Sequence, residues 1–168
     1  MLKTKELTLG AMGCAISAAL LLLCTIAPTG KLTIGFIASF VPCVLFIECK
    51  SAKTALLSGI AAGIIAFTLF PKHGLAGIII VMYCLCFSYY GALKALIEKT
   101  RKLYIEWIIK EVYFVFISLL LKVLCSAIGL EFFSIPLAVA GFTFYDILLS
   151  YIISYYIRVI SPRIQKSR

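Results

Sequence analysis

Apolar residues fall into six long blocks, 7–27, 32–47, 54–70, 75–93, 111–130 and 135–157, with polar, proline and glycine residues gathered between them. The breaks are Pro28-Thr29-Gly30-Lys31, residues 48–53, Pro71-Lys72-His73-Gly74, residues 94–110 and the neighbourhood of Glu131. A helix needs about 20 mostly apolar residues to cross a bilayer, so the pattern predicts an all-α bundle of six transmembrane helices. The second block is the weakest, because its 16 residues include Pro42 and make a helix only about 24 Å long. A re-entrant hairpin is the alternative there, but it would put Lys31 and the 48–53 loop on one side and reverse every later loop. The first block, preceded by Lys3 and Lys5, imitates a secretory signal. It exceeds the usual apolar core of ~7–15 residues, and Glu6 interrupts the basic lead-in, so it is read as a membrane helix.

Composition strengthens this picture. Of 168 residues, 63% are apolar and 14% charged, against about half and about a quarter in a soluble domain, which excludes a chain that covers its core in water. The expectation is one integral membrane domain over residues 1–168, with nothing left for a soluble catalytic domain. The net charge of +9 does not point to nucleic acid, since apolar runs separate the basic residues. It reports topology instead. With the N-terminus cytoplasmic, thirteen Lys and Arg lie inside, Lys31 and Lys72 lie outside, and Lys122 sits within a helix. That asymmetry predicts an even number of spans, with both termini on the cytoplasmic side of the cell membrane. In residues 94–111, Glu98 with Lys102 and Glu106 with Lys110 stand four apart in the favourable order. Tyr104 and Trp107 suit the headgroup level, so an interfacial helix is expected between spans four and five, as a connector or as a docking surface.

Little in the chain suggests bond chemistry. The seven cysteines lie mostly within apolar runs and have no zinc or disulfide spacing. Residues 25–32 resemble a phosphate loop but lack its first glycine and the Ser or Thr after Lys31, so no ATP site is expected. His73 stands apart from any marked serine and Asp146 has no second carboxylate beside it, so neither an enzyme nor a cofactor is expected. Two charges do interrupt apolar runs, Lys122 and Asp146, at a cost of roughly 3 kcal/mol each on insertion scales. Counted from Leu130 and Ile135, they lie about 12 and 16 Å below the outer helix ends. An ion pair between the last two spans is therefore allowed; the alternatives are a solute site, with Lys122 meeting an anionic group, and simple snorkelling.

Small residues carry the last signal. Ala11, Ala15 and Ala19 share one face of the first helix, and Ala55, Gly59 and Gly63 one face of the third. In lipid such faces permit the close approach that drives helix pairing, either within the chain or with a separate subunit. A basic Lys3-to-Leu7 start flowing into an Ala-xxx-Ala first helix, in a six-span chain of this size, resembles the substrate-binding S components of energy-coupling factor (ECF) transporters. The resemblance covers topology throughout, but sequence mainly at the start. It implies that Ala11, Ala15 and Ala19 dock a transmembrane coupling subunit driven by two cytoplasmic ATPases. It further implies that a small solute, a vitamin or related micronutrient, binds in the outer half, where Lys31, His73, Lys122 and Asp146 are the candidate contacts. The chain has no Asn and one Gln, Gln165 in the tail, so a largely apolar or aromatic ligand fits better than one that needs amide partners. The alternative function is a non-transporting membrane scaffold or envelope-assembly protein with a similar six-helix body.

Overall fold

A computed structural model describes residues 4–49, 51–70, 74–98 and 102–160, without the side chain of Leu103. These residues form six continuous helical segments: α1 Thr4–Ile26, α2 Lys31–Cys49, α3 Ala52–Leu69, α4 Gly74–Glu98, α5 Leu103–Ala127 and α6 Ile135–Ile160. No strand occurs among the described residues. All but α5 are long and apolar enough to cross a membrane; α5 is equally long, but Glu106, Lys110, Glu111 and Lys122 interrupt its apolar run. Successive helices reverse direction through short connections. Residues 27–30 and 128–134, with the end of α3 and the start of α4, therefore gather at one end of the bundle, and the ends of α2 and α4 with the starts of α3 and α5 at the other.

The expected interfacial helix between spans four and five is corrected. Residues 94–98 complete α4, residues 103–110 open α5, and the expected Glu106 to Lys110 pairing gives way to Lys110 reaching Glu98, 3.2 Å away. The reason is that Lys94 and Lys110 turn inward, which draws both helix ends into the bundle. Tyr104 and Trp107 remain exposed, on the first turns of α5.

Pro42 does not break α2, which is continuous over 19 residues, about 28 Å at 1.5 Å per residue. Proline has no N–H to give the carbonyl four residues earlier, here that of Ala38. In the fold the buried Ser17 hydroxyl of α1 donates to Ala38 O at 3.5 Å, supplying a donor where Pro42 removed one. Side chains on neighbouring helices are a recognised remedy for a proline in a membrane helix. Ser17→Ala should therefore cost about 1–2 kcal/mol, because it leaves a buried carbonyl unpaired. In a Pro42→Ala background the same substitution should cost markedly less, and a double-mutant cycle on reversible unfolding in detergent measures the difference.

The small-residue faces separate by role. Gly10, Gly13, Ser17, Leu21 and Cys24 form the buried side of α1 against α2 and α3, and Ala55, Gly59 and Gly63 are buried on α3. A Cβ on Gly59 would lie 2.4 Å from the Ser88 carbonyl oxygen of α4, so these two backbones touch. α4 is the most enclosed helix, with Tyr83, Cys86, Phe87 and Tyr90 buried at its centre, where the chain makes one π-helical turn, Tyr83–Phe87. Such wide turns inside α-helices are frequent at functional sites. α5 ends in a glycine cap: Gly129 takes φ 76°, Gly129 N donates to Ser126 O at 3.1 Å, and Leu130 N to Cys125 O at 2.8 Å. That pattern satisfies the last carbonyls and turns the chain back.

Candidate functional site

Two places in the bundle carry distinctive chemistry, and they adjoin on α6, where Tyr145 and Leu148 of the first stand on either side of Asp146 of the second in the sequence. The first is a cavity of about 550 Å³ at the end that carries residues 27–30 and 128–134. Its walls come from the first turns of α2 (Leu32, Thr33, Phe36), from α4 (Ile79, Phe87), from the connection (Phe132, Phe133) and from α6 (Gly141, Phe142, Tyr145). The rings brace one another: Phe36 meets Tyr145 edge-on at 5.1 Å between centroids, and Phe87 meets Tyr145 at 4.6 Å and Phe142 at 6.0 Å. Tyr145 donates its hydroxyl to Ser39 Oγ at 3.0 Å, and Ser39 donates to Phe36 O at 2.6 Å, so the tyrosine proton is held within the wall. Thr33 supplies a further hydroxyl. No charged side chain lines the cavity among the described residues.

The second place is an ion cluster around Asp146, buried between α4, α5 and α6. Oδ1 accepts hydrogen bonds from Lys94 Nζ and, at 2.7 Å, from the Tyr90 hydroxyl; Oδ2 accepts from Lys110 Nζ at 3.0 Å. Glu98 Oε1 bridges the two ammonium groups at 3.1 and 3.2 Å from the half-exposed edge. Two cations and two carboxylates leave the cluster neutral, with hydrogen bonds on both Asp146 oxygens, which is the condition for keeping charge within lipid. Lys94 and Asp146 are each 3% exposed and Lys110 7%. Beside the cluster, Thr143 donates to Glu111 Oε1 at 3.0 Å and so pins α6 to α5 again.

The pairing of Lys122 with Asp146 that the sequence allows is not made; the Asp146 oxygens are taken by Lys94, Lys110 and Tyr90, and Lys122 is exposed. Two features of the packing keep Lys122 and Asp146 apart. The buried face of α5 runs through Lys110, Phe114, Ile117, Leu121 and Cys125, and Lys122 is one residue, about 100°, beyond it. The ends of α5 and α6 that flank the 128–134 connection are also not level. Lys110 stands 17 residues before the end of α5 at Ala127, whereas its partner Asp146 stands 11 after the start of α6 at Ile135. The Glu111–Thr143 contact gives a similar mismatch, so α5 reaches on the order of 10 Å farther along the bundle than α6 begins. The 128–134 connection descends over that difference and brings Phe132 and Phe133 to the cavity.

The other candidates are scattered. Lys31 is half-buried at the first position of α2, next to the cavity wall but outside it. His73 lies outside the described residues. Ala11, Ala15 and Ala19 are exposed, on the side of α1 that turns away from α2 and α3. The residues that build the cavity, a mixture of aromatic and aliphatic side chains, carry no motif; their one signal in the sequence is the near absence of amide side chains. No disulfide occurs among the described residues, and Cys24, Cys43, Cys86 and Cys125 pack in the interior. Comparison of the chain with protein-family models, with curated proteins and with solved structures found no match.

Proposed function

We propose that the chain is the membrane-embedded, solute-binding subunit of an ECF-type importer, with six spans and both termini cytoplasmic. The observation that carries the proposal is α1. Its glycine and serine side is used up by α2 and α3, while Ala11, Ala15 and Ala19 form an exposed strip of small residues that the chain itself leaves unused. In lipid such a strip is a surface for close helix approach, here by a transmembrane coupling subunit that works with two cytoplasmic ATPases. Two further features fit this reading. Charge asymmetry puts the end with the cavity outside, where an imported solute arrives. The neutral ion cluster ties α4, α5 and α6 together toward the inner end, where force from ATPases would be applied.

Native purification in mild detergent, followed by mass spectrometry of bound chains, tests the proposal. A transmembrane coupling protein with paired ATPases should be recovered with the native chain. Ala15→Trp should abolish that recovery and leave insertion and thermal stability intact, since Ala15 faces away from the body of the chain. Full recovery with the Trp variant would remove the docking assignment. Recovery of cell-envelope machinery instead would favour the scaffold function.

A further inference from the structure

We infer that the outer cavity selects an uncharged, largely apolar small molecule with a flat ring system, and rejects charged solutes. This deepens the solute-binding reading and rests on it for the site. The volume of about 550 Å³ lies within the range of roughly 300–1,000 Å³ typical of small-molecule sites. What distinguishes it is the lining. An ionised ligand group entering it would lose its hydration without gaining a counter-charge. The charges that could have supplied one are placed elsewhere: Asp146 is neutralised by Lys94 and Lys110, Lys122 is exposed on α5, and Lys31 stands outside the wall. Polar orientation is equally limited, because the Tyr145 proton is committed to Ser39 and Thr33 provides the other hydroxyl.

The shape of the wall favours rings over a lipid chain. Phe36, Phe87, Phe142 and Tyr145 hold one another at fixed angles and make a stiff floor, over which the more accessible rings of Phe132, Phe133 and Phe144 present surface to a planar guest. A flexible acyl chain would have to be ordered to lie in such a slot, whereas a rigid ring system arrives ordered. Gly141 lines the cavity, and a Cβ placed there meets no atom within 4 Å. A larger side chain at this position can therefore fill the cavity without displacing the backbone.

Two probes that share one ring system make the test. The purified chain in lipid nanodiscs is titrated with N-phenyl-1-naphthylamine, which is uncharged, and with 1-anilinonaphthalene-8-sulfonate, which adds an anionic group to the same rings. Binding of the uncharged probe should saturate near one per chain above the signal of empty nanodiscs, and the sulfonate should bind at least about tenfold more weakly. Gly141→Trp should weaken the uncharged probe by about tenfold or more at an unchanged melting temperature, whereas Gly141→Ala should bind like the native chain. Equal binding of the two probes, or no saturable binding of the uncharged one, overturns the inference. Saturation in detergent that disappears in nanodiscs also overturns it, because an acyl chain then owns the cavity. The importer reading fails separately: saturable binding with no coupling subunit recovered keeps the apolar site and removes transport, while a recovered coupling complex without saturable binding removes the apolar solute alone.

Discussion

Asp146→Ala should destabilise the folded chain by about 3–5 kcal/mol, the range for removing one partner of a buried ion pair. The substitution leaves Lys94 and Lys110 buried in the membrane-embedded core with Glu98 as their shared counter-ion, itself half-exposed at the edge. It also strips the Tyr90 hydroxyl of its acceptor. Asp146→Asn should fall between native and Ala, since an amide oxygen can still accept from Tyr90 but cannot neutralise two ammonium groups. Replacing the cluster by apolar residues of similar size, Asp146→Leu with Lys94→Met and Lys110→Met, should recover most of the loss, because no charge then stays buried without a partner. Unfolding in graded sodium dodecyl sulfate, followed by circular dichroism, gives all three values. A stable Asp146→Ala protein would mean that these side chains are not held as described.

Gly59→Leu should be nearly as damaging, and for a steric reason. At this point α3 and α4 touch through backbone, with the Ser88 carbonyl oxygen 2.4 Å and the Ser88 Cβ 3.2 Å from where a Cβ would stand. Alanine already requires the helices to separate, at a cost of about 1–3 kcal/mol, and leucine should cost more, with falling yield of folded protein. Since close packing is a main source of helix association in lipid, that separation is not offset by any gain in burial. Gly13 and Gly35 are instructive contrasts, because the atoms in the way belong to side chains and not to backbone: the flexible end of Leu45, and Cγ2 of β-branched Ile79, which moves only by a change of χ1. Alanine at those positions should be milder. Measuring Gly13→Ala, Gly35→Ala and Gly59→Ala together, by the same unfolding assay, checks the ranking.

The two small-residue faces show how far sequence reading reaches. Spacing alone put Ala11, Ala15 and Ala19 on one face and Ala55, Gly59 and Gly63 on another, and both are single faces in the structure. Spacing could not say that the first is exposed and the second is packed against α4, because a period of 3.6 residues defines a face without saying what it meets. The ion cluster shows the same limit. Lys94 and Lys110 sit in a charged stretch that reads as membrane surface, and only the packing of α4, α5 and α6 turns them toward Asp146.

From the chain itself come the helical class, the helix breaks other than that expected over 94–110, membrane residence and the scarcity of polar groups for a ligand, because each depends on local composition and on the length of apolar runs. The partners of Asp146, the use of Ser17 to serve the Ala38 carbonyl, and a cavity assembled from α2, α4, α6 and the 128–134 connection were decided by tertiary structure. Each depends on how far one helix slides and rotates against the next. A shift of about 10 Å between α5 and α6, or of one residue around α5, changes which side chains meet, and neither is written in the order of residues along a single helix.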